Sequence, residues 1–260
     1  MQVRPYLSVI IPAFNEERRI GDSLSRVRAH LAPPSAPCEV LVVDDGSHDR
    51  TAAIVERIAA ATTPGPGAAV TLRLLRNGRN RGKGYSLKHG VLAARGDFLL
   101  LSDADFSTPI EELERLLRPV ESGECAIAIG SRGLAASRIE RRQPLWRELM
   151  GRCFNLLVRA ITGLPYRDTQ CGFKVMRREA VLPLFRAARV ERFAYDVEIL
   201  YLARKAGVKV LEVPVLWRDS PASKVHALFD SVDMLKDIVG VVARDRRGRY
   251  GLPPGRAAAR

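Results

Sequence analysis

The sequence lacks any run approaching the ~18 uninterrupted apolar residues of a membrane-spanning helix, so contact with a membrane is expected only from its surface. Cysteine is scarce: the four that occur, Cys38, Cys125, Cys153 and Cys171, lie far apart with neither a C-x-x-C pair nor Cys/His ligand spacing. Structural zinc is thereby disfavoured, and with no secretory leader a reducing, cytoplasmic setting is expected. Aromatic residues make up only 6% of the chain, and no nucleic-acid-binding motif accompanies them, which argues against a nucleic-acid partner. Two common nucleotide-binding signatures are also missing. In "NGRNRGKG", residues 77 to 84, Gly78 and Gly82-Lys83 stand one residue too close for a phosphate-binding P-loop, and Gly84 occupies the place of the Ser or Thr that would bind Mg²⁺. No G-x-G-x-x-G follows the first apolar run. The flexible backbone and cations of this loop still suit phosphates.

What is present is a chain of 260 residues with 47% apolar content, enough for a sizeable core. Forty-two Lys and Arg against 29 Asp and Glu leave a net charge of +13, which calls for an anionic partner: nucleic acid, an anionic membrane surface or a phosphorylated substrate. "LSVII" (7 to 11), "EVLVV" (39 to 43), "VTLRLL" (70 to 75), "DFLLLS" (97 to 102) and "CAIAIG" (125 to 130) read as strands, most of them apolar throughout, as strands covered on both faces are. Helical patterns separate them, for example Ile20, Leu24, Val27 and Leu31. The alternation predicts an α/β fold with a central, mostly parallel sheet flanked by helices. Beyond residue 130 come a basic loop (131 to 142), helical candidates at 143 to 162 and 195 to 206, a strand at 208 to 213 and an amphipathic stretch at 225 to 243. One domain over 1–250, its halves meeting near residue 130, and a frayed tail at 251–260 are expected.

Ligands of an open parallel sheet bind beyond the carboxyl ends of its strands. Three acidic signatures fall there: Glu16 after the first strand, Asp44 and Asp45 after the second, Asp103 and Asp105 after the fourth. Any one could be a helix cap. Together they suggest a divalent cation, since carboxylates alone would repel a phosphorylated ligand and oxygen donors suit Mg²⁺ or Mn²⁺. In an extended segment the i, i+2 spacing of Asp103 and Asp105 places both carboxylates on one side.

These residues match a known pattern. "SVIIPAFNEE", "VVDDGSHDRT", "NRGKGYSLKHG", "LLLSDADFSTP" and "IAIGSRG", in this order, resemble the family 2 glycosyltransferases with the GT-A (Rossmann-like) fold. "RDTQCGFKVMRREA" and "ERFAYDVEILYLARKAGVKVLEVPVLWRD" are similar to the dolichyl-phosphate glucosyltransferases, with the dolichyl-phosphate mannose synthases as relatives. The resemblance covers residues 7 to 245. It implies that Pro12, Ala13, Glu16 and Asp44 contact the nucleoside, and that Gly82, Lys83, Gly84 and Lys224 close over the diphosphate. It implies Asp103 and Asp105 as ligands of Mg²⁺ or Mn²⁺, Arg132 and Arg147 as grips on an acceptor phosphate, and Asp168 through Lys174, Asp196 and Glu198 as walls of the sugar pocket. The donor half is then 1–130 and the acceptor half 131–250. Two departures stand out: Ser107 occupies the place where mannose synthases often carry a further metal-binding Gln, and the N-terminal membrane anchor of the eukaryotic glucosyltransferases has no counterpart.

The implied reaction moves glucose from UDP-glucose to a polyprenyl phosphate with inversion, by an enzyme held peripherally on the cytoplasmic face of a membrane. A phosphate monoester, with its second pKa near ~6, is mostly a dianion at neutral pH and attacks without a protein base. Transfer to a sugar hydroxyl, the rival acceptor class, would require a base such as Asp168 or Asp196. GDP-mannose or UDP-N-acetylglucosamine remain alternative donors. The non-enzymatic alternative is a membrane- or nucleic-acid-binding module on a nucleotide-binding scaffold. In 144 to 164, Trp146, Leu149, Met150, Cys153, Phe154, Leu157 and Ile161 form a helical stripe suited to a core or to a membrane interface.

Overall fold

Successive side chains of a strand point to opposite faces, and this alternation builds two cores on one sheet. In strand β1 (Leu7–Ala13), Val9 and Ile11 join one core and Ile10 the other. The computed structural model describes residues 4–31, 36–61, 70–141, 145–218 and 227–252. Helices α1 (Ile20–Leu31) and α2 (Thr51–Ala61) cover the Val9 face, along with α4 (Leu113–Glu121), through Leu24, Val27, Val55, Leu116 and Val120. The Ile10 face is covered by α3 (Lys83–Ala93), α5 (Leu145–Thr162), α6 (Arg178–Ala187), α7 (Tyr195–Lys205) and α8 (Ala227–Arg246). In α8 the buried positions Met234, Ile238 and Val241 recur at helical spacing, which is why that helix lies flat on the core.

The remaining strands are β2 (Cys38–Asp44), β3 (Val70–Arg76), β4 (Phe98–Leu101), β5 (Ile127–Ser131), β7 (Lys174–Arg177) and β8 (Val210–Pro214). They form a seven-stranded sheet in the order β3-β2-β1-β4-β7-β5-β8. The chain runs outward from β1 to β3 and returns to β4 on the other side of β1, leaving a crevice between the carboxyl ends of β1 and β4. All pairings are parallel except those of β7, which runs antiparallel between β4 and β5.

The expected mostly parallel sheet is present, and its six anticipated strands are β1 to β5 and β8. Strand β7 was not anticipated: "KVMR" is four residues long and opens on a lysine, too short and too polar for its periodicity to register. Part of the expected basic loop, 131 to 142, is instead strand β6 (Arg138–Arg141), which pairs in parallel with β9 (Leu216–Arg218) as a two-stranded ribbon.

Candidate active site

The loops after β1 and β2 are tied together by backbone donors meeting side-chain acceptors. Asn15, at φ 54°, donates its N–H to Ser47 Oγ (2.9 Å) and accepts the His48 N–H (2.8 Å). The Glu16 N–H reaches Thr51 Oγ1 at 2.7 Å. Pro12 and Ala13 end β1 beside Val43 and Asp44 of β2, which places all four of these expected nucleoside contacts, Pro12, Ala13, Glu16 and Asp44, on one rim. Asp44 Oδ1 accepts the Ser47 N–H (3.2 Å). The Glu16 carboxylate pairs with Arg19, whose Nη1 lies 3.7 Å from Asp105.

Asp45 has a role that the sequence did not separate from that of Asp44. Its buried carboxylate accepts the N–H groups of Arg81 (2.9 Å) and Gly82 (2.8 Å) and the Asn77 amide (2.8 Å), so it anchors the glycine loop. Gly82 sits at φ 105°, a conformation open to glycine and strained for other residues. Lys83 follows at the start of α3, the end of the helix whose dipole favours an anion. Its Nζ lies 2.5 Å from Asp103 Oδ1.

Asp103 and Asp105 lie in a turn rather than an extended segment: the Phe106 N–H bonds the Asp103 carbonyl (3.2 Å) and Phe106 has φ 45°. This corrects the geometric reason for their pairing, yet the carboxylates still act on each other. Burial and the charge of Asp103 push the Asp105 carboxyl up. Burial would raise Asp103 as well, but Lys83, Lys174 and Arg132 outweigh it and hold that carboxyl below the usual range. Asp105 accepts the Ser107 N–H (3.0 Å), and the Ser107 carbonyl accepts the Arg218 N–H (2.8 Å), tying the turn to the β6–β9 ribbon. Gly172 packs against Asp103 so closely that a Cβ there would come 2.3 Å from Oδ2.

These residues fit a hard divalent cation. Among the described residues no cluster of three or more His, Cys, Asp or Glu forms a closed cage. A pair of carboxylates, completed by water and substrate phosphates, is what Mg²⁺ typically accepts. The charge repulsion that raises Asp105 is relieved by such an ion.

On the acceptor side, Arg132 and Asp168 form a two-pronged ion pair, Nε to Oδ2 at 2.6 Å and Nη2 to Oδ1 at 2.9 Å, with the Arg132 N–H adding a third bond at 3.0 Å. Burial works against the Asp168 carboxylate, but Arg132 brings it down to about 2. Asp168 is therefore a poor proton acceptor and a good clamp, leaving the Nη1 edge of the guanidinium for a further anion. The Trp217 ring lies 5.4 Å from the guanidinium. Arg132, Asp168 and Trp217 open onto an 840 Å³ cleft whose walls include Leu134, Ile139 and Leu156.

A folded-state pKa depressed below the unfolded ~3.9 gives stability that is present above pH ~4 and lost as pH falls toward 2. Asp168→Asn is accordingly expected to cost about 2 kcal/mol at pH 7. That difference should shrink in urea titrations at pH 3, whereas a pH-independent cost would sink the pairing as its cause.

Asp196 is buried and ion-paired with Lys174, itself only 1% exposed. Burial raises Asp196 in spite of Lys174 and Lys83, so Lys83, Asp103, Lys174 and Asp196 form one internal charge cluster. Lys174, expected in the sugar pocket with the rest of 168 to 174, sits in this cluster, whereas Trp217 is a site residue that sequence reasoning missed. The resemblance carried by "DTQCGFK" pointed to Lys174, and nothing marked Trp217. Glu198 is a correction: its carboxylate does not face the sugar pocket but accepts the N–H groups of Arg189 and Val190 and the Tyr250 hydroxyl. The expectations for the Arg147 side chain and for Lys224 lie outside the described residues.

A mostly parallel sheet with an Asp-x-Asp turn, a glycine loop and a basic cleft at its carboxyl edge defines a glycosyltransferase of the GT-A class. The chain belongs to glycosyl transferase family 2, whose model matches residues 8–185. It is 35% identical to a dolichyl-phosphate beta-glucosyltransferase of Dictyostelium discoideum, over 91% of this chain and 73% of that protein. It is 32% identical to the Homo sapiens protein of that name, over 95% and 78%. Among solved structures, glucosyl-3-phosphoglycerate synthase from Mycobacterium tuberculosis in complex with UDP superposes with a TM-score of 0.64 at 20% identity, covering 96% of this chain and 81% of that one. The same enzyme is also known with Mn²⁺, UDP-glucose and phosphoglyceric acid.

Proposed function

We propose that this protein transfers glucose, with inversion, from UDP-glucose to a polyprenyl phosphate of the dolichyl type, giving a β-linked polyprenyl-phosphate sugar. The observation that carries the reading is the Arg132 cleft: a guanidinium fixed on one edge by Asp168 and free on the other, beside apolar walls, within the field of Asp103. A phosphate on an isoprenoid chain has the matching halves. The relatives' names support glucose and the dolichyl acceptor.

Asp103 and Asp105 would hold Mg²⁺ or Mn²⁺, which when bound neutralises the diphosphate and eases its departure. The protein's own groups do the rest. Pro12, Ala13, Glu16 and Asp44 form the nucleoside rim, and Lys83 offers its ammonium to the diphosphate from the start of α3. Arg132 orients the acceptor phosphate in line, and electrostatics rather than a base carries the reaction. Both candidate bases of the hydroxyl-acceptor rival are engaged, Asp168 with Arg132 and Asp196 with Lys174, which disfavours that reading.

Among the described residues no helix is long and apolar enough to cross a membrane. Contact is instead peripheral, at the cytoplasmic face, through the outer sides of α5 and α8, where Leu156 is 62% exposed, Val232 57%, and Leu157 and Val239 about half. The stripe expected on α5 divides: Phe154 and Ile161 pack on the core with Val158, whereas Leu157 faces out beside Leu156.

One assay tests both parts: transfer of labelled glucose from UDP-glucose into polyprenyl phosphate carried in anionic vesicles, with UDP-N-acetylglucosamine and GDP-mannose in parallel. Metal-dependent lipid label from UDP-glucose alone is expected, and no lipid label from any donor would refute the acceptor. Leu157→Ser, outside the cleft lining, is expected to cut transfer severalfold in vesicles but not in detergent micelles. An equal rate in vesicles would remove α5 from the membrane.

A further inference from the structure

The glycine loop does not stand alone; it leans on a second segment, residues 188–192. The Tyr85 N–H bonds the Glu191 carbonyl (2.9 Å), the Arg81 guanidinium pairs with the Glu191 carboxylate (2.5 Å), and Lys88 Nζ donates to the Ala188 carbonyl (2.7 Å). The contact at Gly82 is so close that a Cβ would fall 2.6 Å from the Glu191 carbonyl oxygen. Wherever residues 188–192 go, Arg81 to Tyr85 must follow, and Lys83 with them.

What fixes this segment is Glu198, the most deeply buried carboxylate among the described residues, at 0% exposure. Its two oxygens accept the Arg189 N–H (2.9 and 3.0 Å), the Val190 N–H (2.8 Å) and the Tyr250 hydroxyl (2.6 Å). Arg244 donates from Nε to Tyr250 Oη (3.2 Å), and its Nη2 lies 3.9 Å from Glu198. A carboxylate taken from water is costly unless its acceptor sites are filled. Here backbone N–H groups of the wall and a hydroxyl from beyond α8 fill them. The same helix, α7, sends Asp196 into the charge cluster around Lys83 and Asp103. Its first turn is thus seated on both sides of the loop.

We propose that Glu198 and Tyr250 are positioning residues for the donor: they fix segment 188–192, against which Arg81 to Tyr85 closes, and thereby set Lys83 for the diphosphate of the nucleotide sugar. The inference rests on the reading of that loop as a diphosphate grip. It also makes donor affinity depend on the end of the chain, since Arg244 and Tyr250 belong to the C-terminal helix and the turn after it, whose body packs on α5 in the acceptor half.

Tyr250→Phe in the full chain keeps the ring and removes one donor from Glu198. Loss of a buried hydrogen bond to a charged group is expected to weaken UDP binding in the presence of Mn²⁺, measured by calorimetry, by about tenfold. The donor KM should rise in step while the polyprenyl-phosphate KM stays unchanged. Hydrogen exchange should quicken at the Tyr85, Arg189 and Val190 amides. Glu198→Gln, which turns an acceptor oxygen toward a backbone donor as an amide, should act in the same direction more strongly, and if it does not fold the Tyr250 variant decides alone. Unchanged UDP affinity and unchanged exchange at Tyr85, with only the melting temperature lowered, would overturn the positioning role and leave a packing contact. Wild-type protein that binds no UDP would overturn the diphosphate reading itself, and the positioning role with it.

Discussion

Replacing Asp105 with asparagine is expected to lower glucose transfer by about 10³-fold or more while the fold survives intact or gains slightly in stability. The two halves of that expectation have one origin. Asp105 is held next to Asp103 in a half-buried turn, and partial burial with mutual repulsion raises its carboxyl above the ordinary value, so its charge destabilises the empty protein. Asparagine removes the charge and retains an oxygen for the Ser107 N–H. A residue serving only the turn would show the opposite pattern, a lower melting temperature with turnover per folded molecule preserved. Turnover and melting temperature measured on the same preparation, across a Mg²⁺ and Mn²⁺ titration, separate the two. Metal-dependent transfer within about threefold of wild type would end the assignment of Asp105 as a ligand.

Arg132→Ala is the second large effect, and it divides between stability and acceptor recognition. Asp168 is buried and loses its two-pronged partner, which costs about 3 kcal/mol, typical of breaking a buried pair from one side. Separately, the acceptor phosphate loses a planar cation already oriented on its far edge, and kcat/KM for polyprenyl phosphate is expected to fall roughly 100-fold, with UDP affinity unchanged. Arg132→Lys tells the two apart. An ammonium restores charge to Asp168 and part of the stability, but it cannot bond Asp168 on one edge and a phosphate on the other, so acceptor kinetics should not recover. An acceptor KM equal to wild type in either variant would remove Arg132 from the acceptor site.

Much of this site is legible from residues 7 to 130, because there the chemistry sits at strand ends and strands announce themselves by continuous apolar runs. Asp44, Asp103 and Asp105 follow such runs directly, and their placement at one sheet edge follows from parallel order alone. The rest of the site is less readable for three physical reasons. Arg132 and Asp168 are 36 positions apart and meet only because β7 folds back between β4 and β5, a strand too short to be seen in advance. Asp45 resembles Asp44 in sequence, and only the loop that descends on it reveals the difference. Asp196 and Glu198 look like a pair with a shared purpose, but two residues on an α-helix stand ~200° apart, so one faces the charge cluster and the other the wall behind it.

Strand β7 also bears on how such enzymes can be recombined. It belongs by sequence to the segment after residue 130, yet its backbone is the mortar between β4 and β5, antiparallel to both. A hybrid spliced at residue 130, pairing one enzyme's donor portion with another's acceptor portion, would therefore set a foreign β7 against the Phe98–Leu101 edge and a foreign Lys174 against the Asp103 turn. Carrying Lys174–Arg177 with the donor portion does not avoid the problem, since β5, which belongs almost wholly to that portion, would still pair with a foreign β8 on its other side. The two portions are a single inheritance: acceptor preference in this architecture is better altered by replacing the β6–β9 ribbon and the lining of its cleft than by exchanging halves.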